Sequence, residues 1–186
     1  MTIRILGISG SLRAQSFNTA LLRAAVPLAG DGARIEPATL HGIPLYDGDL
    51  EQAEGIPEAV TALKRKVLAC DGLLIATPEY NNGMPGVLKN ALDWLSRPPK
   101  ETAAVFGDRA VALLGATPGG MGTVSAQTAW LPVLKALGVR TWSGGRLLAS
   151  RAGQLFDDQG ALTDEAMRKQ LQAFVSGFAA FAVRPA

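Results

Sequence analysis

The chain has 186 residues with 48% hydrophobic side chains, enough for a single domain that buries roughly 70% of the surface its unfolded form exposes. Eighteen Lys and Arg nearly cancel sixteen Asp and Glu, leaving a formal charge of +2 and no basic run, which argues against nucleic acid as a partner. The lone cysteine, Cys70, cannot form an internal disulfide and suits a reducing, cytoplasmic setting; no apolar stretch approaches the ~18 residues of a membrane span, and no charged-then-apolar leader opens the chain.

In chain order, IRILGI (3–8) predicts a strand, and apolar positions at Ala20, Leu21, Ala24 and Ala25 predict a helix from Ser16 to Leu28. ARIEPATL (33–40) predicts a weaker strand that Pro37 places at a sheet edge. The polar, Gly- and Pro-punctuated stretch 41–56 reads as a long loop, and Pro57 then opens a helix running to about Cys70. DGLLIATP (71–78) is apolar throughout, as a strand buried on both faces requires. PGVLKNALDWLS (85–96) predicts a helix opened by Pro85, and RAVALLGAT (109–117) a second buried strand. A long helix is expected over 123–138 with Pro132 as a possible kink, then a short strand near 139–149. A final helix over 163–182 has Thr163 as its candidate cap, with Asp164 and Glu165 favouring the dipole of its first turn.

Strand and helix alternate about five times with no internal repeat and no low-complexity linker. That pattern predicts one doubly wound α/β domain with helices on both faces of a parallel sheet. Ligands in such sheets sit beyond the carboxyl ends of the strands, where the strand order reverses. Three loops occupy those positions: 9–18, 78–84 and 117–123.

The first loop, SGSLRAQSFN, contains neither G-x-G-x-x-G nor a Gly-Lys-Ser/Thr P-loop. It offers the hydroxyls of Ser9, Ser11, Ser16 and Thr19, the amide of Asn18, the guanidinium of Arg13 and the free N–H groups of a helix start. Those donors fit a terminal phosphate monoester better than a magnesium-bound triphosphate. The plainer alternative makes Ser16 an N-cap and the other serines solvated turn residues. In the second loop, Asn82-Gly83 suggests a hairpin turn, but Pro85 opens a helix where a strand should follow, so the hairpin is rejected. A rigid polar loop remains, able to aim backbone amides at a flat heteroaromatic edge. Tyr80 either lies against that ring or packs at a subunit contact, and Glu79, alone, reads as a structural or surface group. The third loop lets backbone approach a ligand at Gly119, Gly120 and Gly122, or is simply a flexible turn.

GISGSLRAQSFN, IPLYDGDL (43–50), TPEYNNGMPGVLKNALDWLSR (77–97) and TPGGMG (117–122), in this order, resemble the NADPH-dependent FMN reductase family, which includes quinone and chromate reductases. The resemblance implies a flavodoxin-like, five-stranded, doubly wound sheet with FMN near the interface of a homodimer or homotetramer. It implies that Ser9, Ser11, Arg13, Ser16 and Asn18 hold the phosphate. Pro78, Glu79, Tyr80 and Asn81 would line the isoalloxazine, with Thr117 and Gly119 closing from the third loop. Relatives often carry an arginine and an aromatic where this chain has Ser125 and Thr128.

No nucleophile constellation and no metal-ligand spacing is present. His41 reads as a surface residue and Cys70 as a small buried hydrophobe. A cofactor would then carry the reaction. The expectation is a ping-pong oxidoreductase in which NADPH or NADH reduces FMN and a small acceptor, such as a quinone, chromate, an azo or nitro compound or a flavin, reoxidises it. The alternatives are a flavodoxin-type electron carrier and a flavin-free module for another phosphorylated ligand. On helix 85–96, Leu88, Leu92 and Leu95 form one apolar stripe; Val87 and Trp94 form a second, expected to face another subunit. Trp130 and Trp142 fit either such a surface or the core.

Overall fold

The apolar runs become strands β1 (Ile3–Ser9), β2 (Ala33–Ala38), β3 (Gly72–Ala76) and β4 (Ala110–Ala116) in a computed structural model that describes residues 2–183. Two short segments, β5 (Arg140–Thr141) and β6 (Leu147–Ala149), both pair with β4 and share the last position of the sheet. The order is β2-β1-β3-β4-β5 and every pairing is parallel. β2, carrying Pro37, lies at the edge as expected. The chain moves outward from β1 to β2 and then returns to the other side of β1 for β3, so the order reverses between β1 and β3.

Both faces of the sheet are covered. Ile5, Leu74, Ala112 and Leu114 face a layer made by α1 (Phe17–Ala25) and α7 (Glu165–Ala182). Leu6, Ile8, Leu73, Ile75 and Val111 face α3 (Glu58–Ala69), α4 (Gly86–Leu95), α5 (Thr102–Phe106) and α6 (Val124–Ala136). Each fully buried Leu or Ile contributes about 1.5–3 kcal/mol from area removed from water. Arg109 is buried among these groups with no carboxylate partner among the described residues. Its Nε donates to the Val105 carbonyl at 2.5 Å and its guanidinium to the carbonyls of Cys70 (2.5 Å) and Ala104 (3.3 Å), at the carboxyl ends of α5 and α3. There the helix dipoles favour a cation.

The expected fifth strand is broken in two: the Trp142 N–H still donates to the Val111 carbonyl at 2.8 Å, and the chain then leaves β4 until Leu147. The Trp142 indole stands edge-on to Phe174 with centroids 4.7 Å apart and lies over Gly144, Gly145 and Gly177. A Cβ at those glycines would come within 2.5–2.8 Å of the ring. Trp142, partly buried, thus packs against the core of this chain, and Trp130 is fully buried within it.

Three expectations are corrected and one is refined. The stretch 41–56 is not all loop: α2 (Gly48–Glu54) forms within it, capped by Asp47, whose side chain accepts the Asp49 N–H at 2.9 Å. The cap of α7 is Asp164, which accepts the Met167 N–H at 2.6 Å; Thr163 instead donates its hydroxyl to the Leu155 carbonyl. The Asn82-Gly83 hairpin is absent, as expected, but a tight turn closed by a single isolated bridge forms one residue earlier. Tyr80 and Gly83 exchange backbone hydrogen bonds of 3.1 and 3.0 Å around Asn81 and Asn82, both at positive φ (49° and 58°). Such a turn demands positive φ at both central residues, and asparagine tolerates it. Finally, Trp94 faces no second subunit. It is wholly buried by its own chain, with Nε1 donating to the Pro44 carbonyl at 2.9 Å and Tyr46 edge-on at 4.9 Å. Pro132 is accommodated inside α6, and the helix runs through it to Ala136.

Candidate active site at the carboxyl ends of the sheet

β1, β3 and β4 end side by side, and their ladders are prolonged into the loops. Gly10 N–H donates to the Ala76 carbonyl (2.8 Å), Thr77 to Leu114 (2.9 Å) and Thr117 to Ala149 (3.0 Å). Gly115 is required at this junction, since a Cβ there would lie 2.0 Å from Thr123 Oγ1 and 2.4 Å from the Thr77 carbonyl oxygen. The Thr77 hydroxyl accepts Trp130 Nε1–H at 2.9 Å and donates to the Pro78 carbonyl, fixing the exit of β3 from inside.

Beyond these ends lies a cleft of about 150 Å³ to which all three loops contribute. Its first wall is Ser11, Arg13, Ser16, Phe17 and Asn18; its second is Pro78, Glu79 and Tyr80; its third is Ala116, Thr117 and Pro118. Eight of the residues expected at the site thus meet in one place: Ser11, Arg13, Ser16, Asn18, Pro78, Glu79, Tyr80 and Thr117. Ser9, Asn81 and Gly119 lie behind or beside its wall.

The first wall is prepared for an anion. Ser16 caps α1, accepting the Thr19 N–H at 3.4 Å, and no acidic residue stands in the first turn. Backbone N–H groups of Phe17 and Asn18 have no acceptor among the described residues. The Arg13 guanidinium likewise has no carboxylate or hydrogen-bond partner among them. Ser9 is buried; its hydroxyl pairs with Thr19 Oγ1 at 2.8 Å and accepts the Ser11 N–H at 3.4 Å, which shapes the turn from beneath. Asn18 clasps β4 with both ends of its amide. Nδ2 donates to the Ala116 carbonyl and Oδ1 accepts the Ala116 N–H, each at 2.9 Å.

Glu79 proves to be a helix cap held in tertiary structure. One carboxylate oxygen accepts the N–H groups of Ser125 (2.8 Å) and Ala126 (3.1 Å) at the start of α6, whose own cap, Thr123, makes no such bond. The positive end of that helix is thereby tied to the second wall. This role has no local signal, because donor and acceptor stand 46 residues apart. Phe17, Ala116 and Pro118 were also not foreseen; they follow only from the way α1 and β4 meet. His41 is exposed, with Nε2 at 3.1 Å from the Leu12 carbonyl, and burial pushes the Cys70 thiol above its ordinary range.

The donors of the first wall suit an anion such as the phosphate of a mononucleotide. Residues 3–154 match the NADPH-dependent FMN reductase family. This chain belongs to that family. It is 45% identical over 170 residues to an NAD(P)H-dependent FMN reductase of Pseudomonas aeruginosa, covering 91% of this chain and 90% of that protein. Identity to a 2-hydroxy-1,4-benzoquinone reductase of a Burkholderia species is 37% over 97% of each chain. Among solved structures, the flavoenzyme NAD(P)H:acceptor oxidoreductase FerB of Paracoccus denitrificans superposes with a TM-score of 0.85 at 32% identity, over 97% of each chain. The protein is an FMN-dependent NAD(P)H oxidoreductase with a flavodoxin-like fold.

Proposed function

We propose that the chain reduces quinones at the expense of NADPH or NADH by a ping-pong sequence, with FMN held in the cleft between the three loops. The observation that carries this reading is the first wall: a guanidinium and two backbone N–H groups without partners among the described residues converge with the hydroxyls of Ser11 and Ser16, while the one carboxylate lining the cleft, Glu79, is taken up by the start of α6. When bound, FMN supplies the two-electron chemistry, accepting hydride from the nicotinamide and passing electrons to the acceptor.

The chain's residues bind and orient. Arg13, Ser11, Ser16 and the α1 amides of Phe17 and Asn18 take the phosphate oxygens, with Arg13 able to engage two at once. Ser9 and Asn18 hold that wall in shape through Thr19 and Ala116. Pro78, Glu79, Tyr80 and Asn81 form the rigid ring loop, with Thr117 and Gly119 opposite. Tyr80, partly exposed, stands where a flat acceptor would enter. A quinone needs no nucleophile and only an open ring face, and two of the relatives' names point to acceptors of that kind.

The assembly we propose is a dimer. Leu45 is 82% exposed, yet its loop is fixed: Tyr46 N–H donates to Asn90 Oδ1 (2.8 Å), and Asn90 Nδ2 and Trp94 Nε1 both donate to the Pro44 carbonyl. A rigidly presented leucine beside the half-exposed Tyr46 is what a second copy would cover. The cytoplasm suits the single cysteine. No helix among the described residues is long and apolar enough to cross a membrane.

The test is an anaerobic visible spectrum of the FMN-loaded protein. Rapid bleaching by NADPH or NADH and recovery of the flavin bands on adding a benzoquinone are expected. Flavin that stays oxidised with both nucleotides would favour the electron carrier; bleaching without recovery would remove the quinone.

A further inference from the structure

A second and larger cavity, about 480 Å³, opens beside the first and shares Arg13, Ser16 and Phe17 with it. Its floor is one face of α1. Ser16, Ala20 and Arg23 recur there at helical spacing, and the small Ala20 makes the face concave. Its far wall is a small hairpin in which Phe156 pairs with Leu162, and Gly160, at φ 78°, faces Ala20: a Cβ added at Gly160 would lie 3.7 Å from Ala20 Cβ. That wall is rigid because Asp157 accepts the N–H groups of Gln159 (2.9 Å) and Ala161 (2.8 Å). Phe17 and Phe156 supply an aromatic side, their centroids 5.8 Å apart.

The polar chemistry is unused. Asp157 is committed to its turn, whereas the side chains of Arg13, Arg23 and Asp158 have no hydrogen-bond or ion-pair partner among the described residues. With Arg13 engaged by the phosphate of the first cleft, the Arg23 guanidinium, an aromatic wall and one free carboxylate match, in turn, a phosphate, a base and the hydroxyls of a ribose. The size suits a nucleoside monophosphate. Since a mononucleotide phosphate in the first cleft rests on the shared Arg13 and Ser16, the occupant is joined to, or runs beside, a nucleotide already there.

We infer that this cavity is a binding site for an adenosine phosphate moiety of a dinucleotide, with Arg23 contacting its phosphate; the inference rests on the FMN reading of the first cleft. Two sources carry that chemistry: the NAD(P)H donor, and FAD bound in place of FMN. Arg23 is exposed on the last turn of α1 and contributes to neither the core nor the first cleft, so its replacement leaves the fold and FMN binding intact.

The experiment compares wild type, Arg23→Glu and Arg23→Lys for dissociation constants of FMN and FAD and for KM and kcat with NADPH and NADH. Adenosine 5′-monophosphate serves as a competitor. In Arg23→Glu, a KM for the donor raised about tenfold at unchanged kcat, with loss of competition by adenosine monophosphate, assigns the cavity to the donor. A comparable rise in the FAD constant alone assigns it to the flavin dinucleotide. Both require an unchanged FMN constant and substantial recovery in Arg23→Lys. If Arg23→Glu alters neither donor nor FAD, or alters FMN equally, the site is refuted while the FMN reading stands. Failure of wild type to bind FMN would remove both.

Discussion

Asn18 joins α1 to β4 through one side-chain amide, and its loss leaves the Ala116 N–H and carbonyl buried without partners. Asn18→Ala should cost about 2–4 kcal/mol in urea unfolding and weaken FMN binding as the first wall loosens. Arg13 differs in kind. It is exposed and unpaired, so Arg13→Gln should leave the unfolding midpoint within error yet raise the FMN dissociation constant roughly ten- to a hundredfold. Flavin fluorescence titration reads this directly, and Arg13→Lys should recover only part of the affinity because a lysine cannot bind two oxygens in a fork. At Glu79 the sequence shows a lone carboxylate and nothing more. The structure gives it two N–H partners, and Glu79→Ala should destabilise by about 1 kcal/mol, whereas Glu79→Gln, which keeps an acceptor, should cost less. Ser11, Arg13 and Ser16 could be read from residue type and place alone, because a strand-to-helix turn announces its own donors. Glu79 could not, because its partners are close in space and remote in the chain.

Among the elements, β1, β3 and β4 were legible because continuous apolar runs have no other use in a chain of this length. α2 was not: it buries no residue fully and its sequence GDLEQAE has no apolar period. Its value lies in Glu51, which accepts from Arg97 Nε at 2.7 Å and from the Tyr46 hydroxyl at 3.0 Å. The hydrogen bond from Arg97 holds the Glu51 carboxyl below its ordinary 4.5, and donation to Glu51 raises the Tyr46 phenol. A carboxylate with a lowered folded value stabilises at pH above its unfolded value, and that contribution fades as pH falls through the folded one. The 43–51 loop should therefore loosen on the acid side, below about pH 4.5, seen as a change in Trp94 fluorescence. Glu51→Gln should abolish that transition. The split of the fifth strand was equally hidden, since nothing in TWSGG marks an indole folding back on its own glycines. Trp142→Ala should cost about 3 kcal/mol or more, measured by urea unfolding, with the unfolded baseline unchanged.

On the scale of the whole molecule, the alternation of strand and helix sufficed to place the ligand, because the reversal of strand order between β1 and β3 brings the ends of β1, β3 and β4 together whatever the side chains are. Identity of the ligand then came from the first loop. Surfaces facing other copies were less legible: Val87 and Trp94 read as an outward stripe, but Pro44 and Tyr46 cover the indole from within the chain. Leu45, one residue away, is the exposed group. Leu45→Lys should shift the proposed dimer toward monomer in sedimentation velocity; an unchanged sedimentation coefficient would place the interface elsewhere.

The central claim is that the loop from Ser11 to Asn18 exists to hold a flavin phosphate, and parallel titrations with FMN and with riboflavin, which lacks only that phosphate, test it most directly. Wild type should prefer FMN by about a hundredfold or more, and Arg13→Gln should erase most of the preference by weakening FMN alone. Equal affinity for the two flavins, or a preference untouched in Arg13→Gln, would contradict the account.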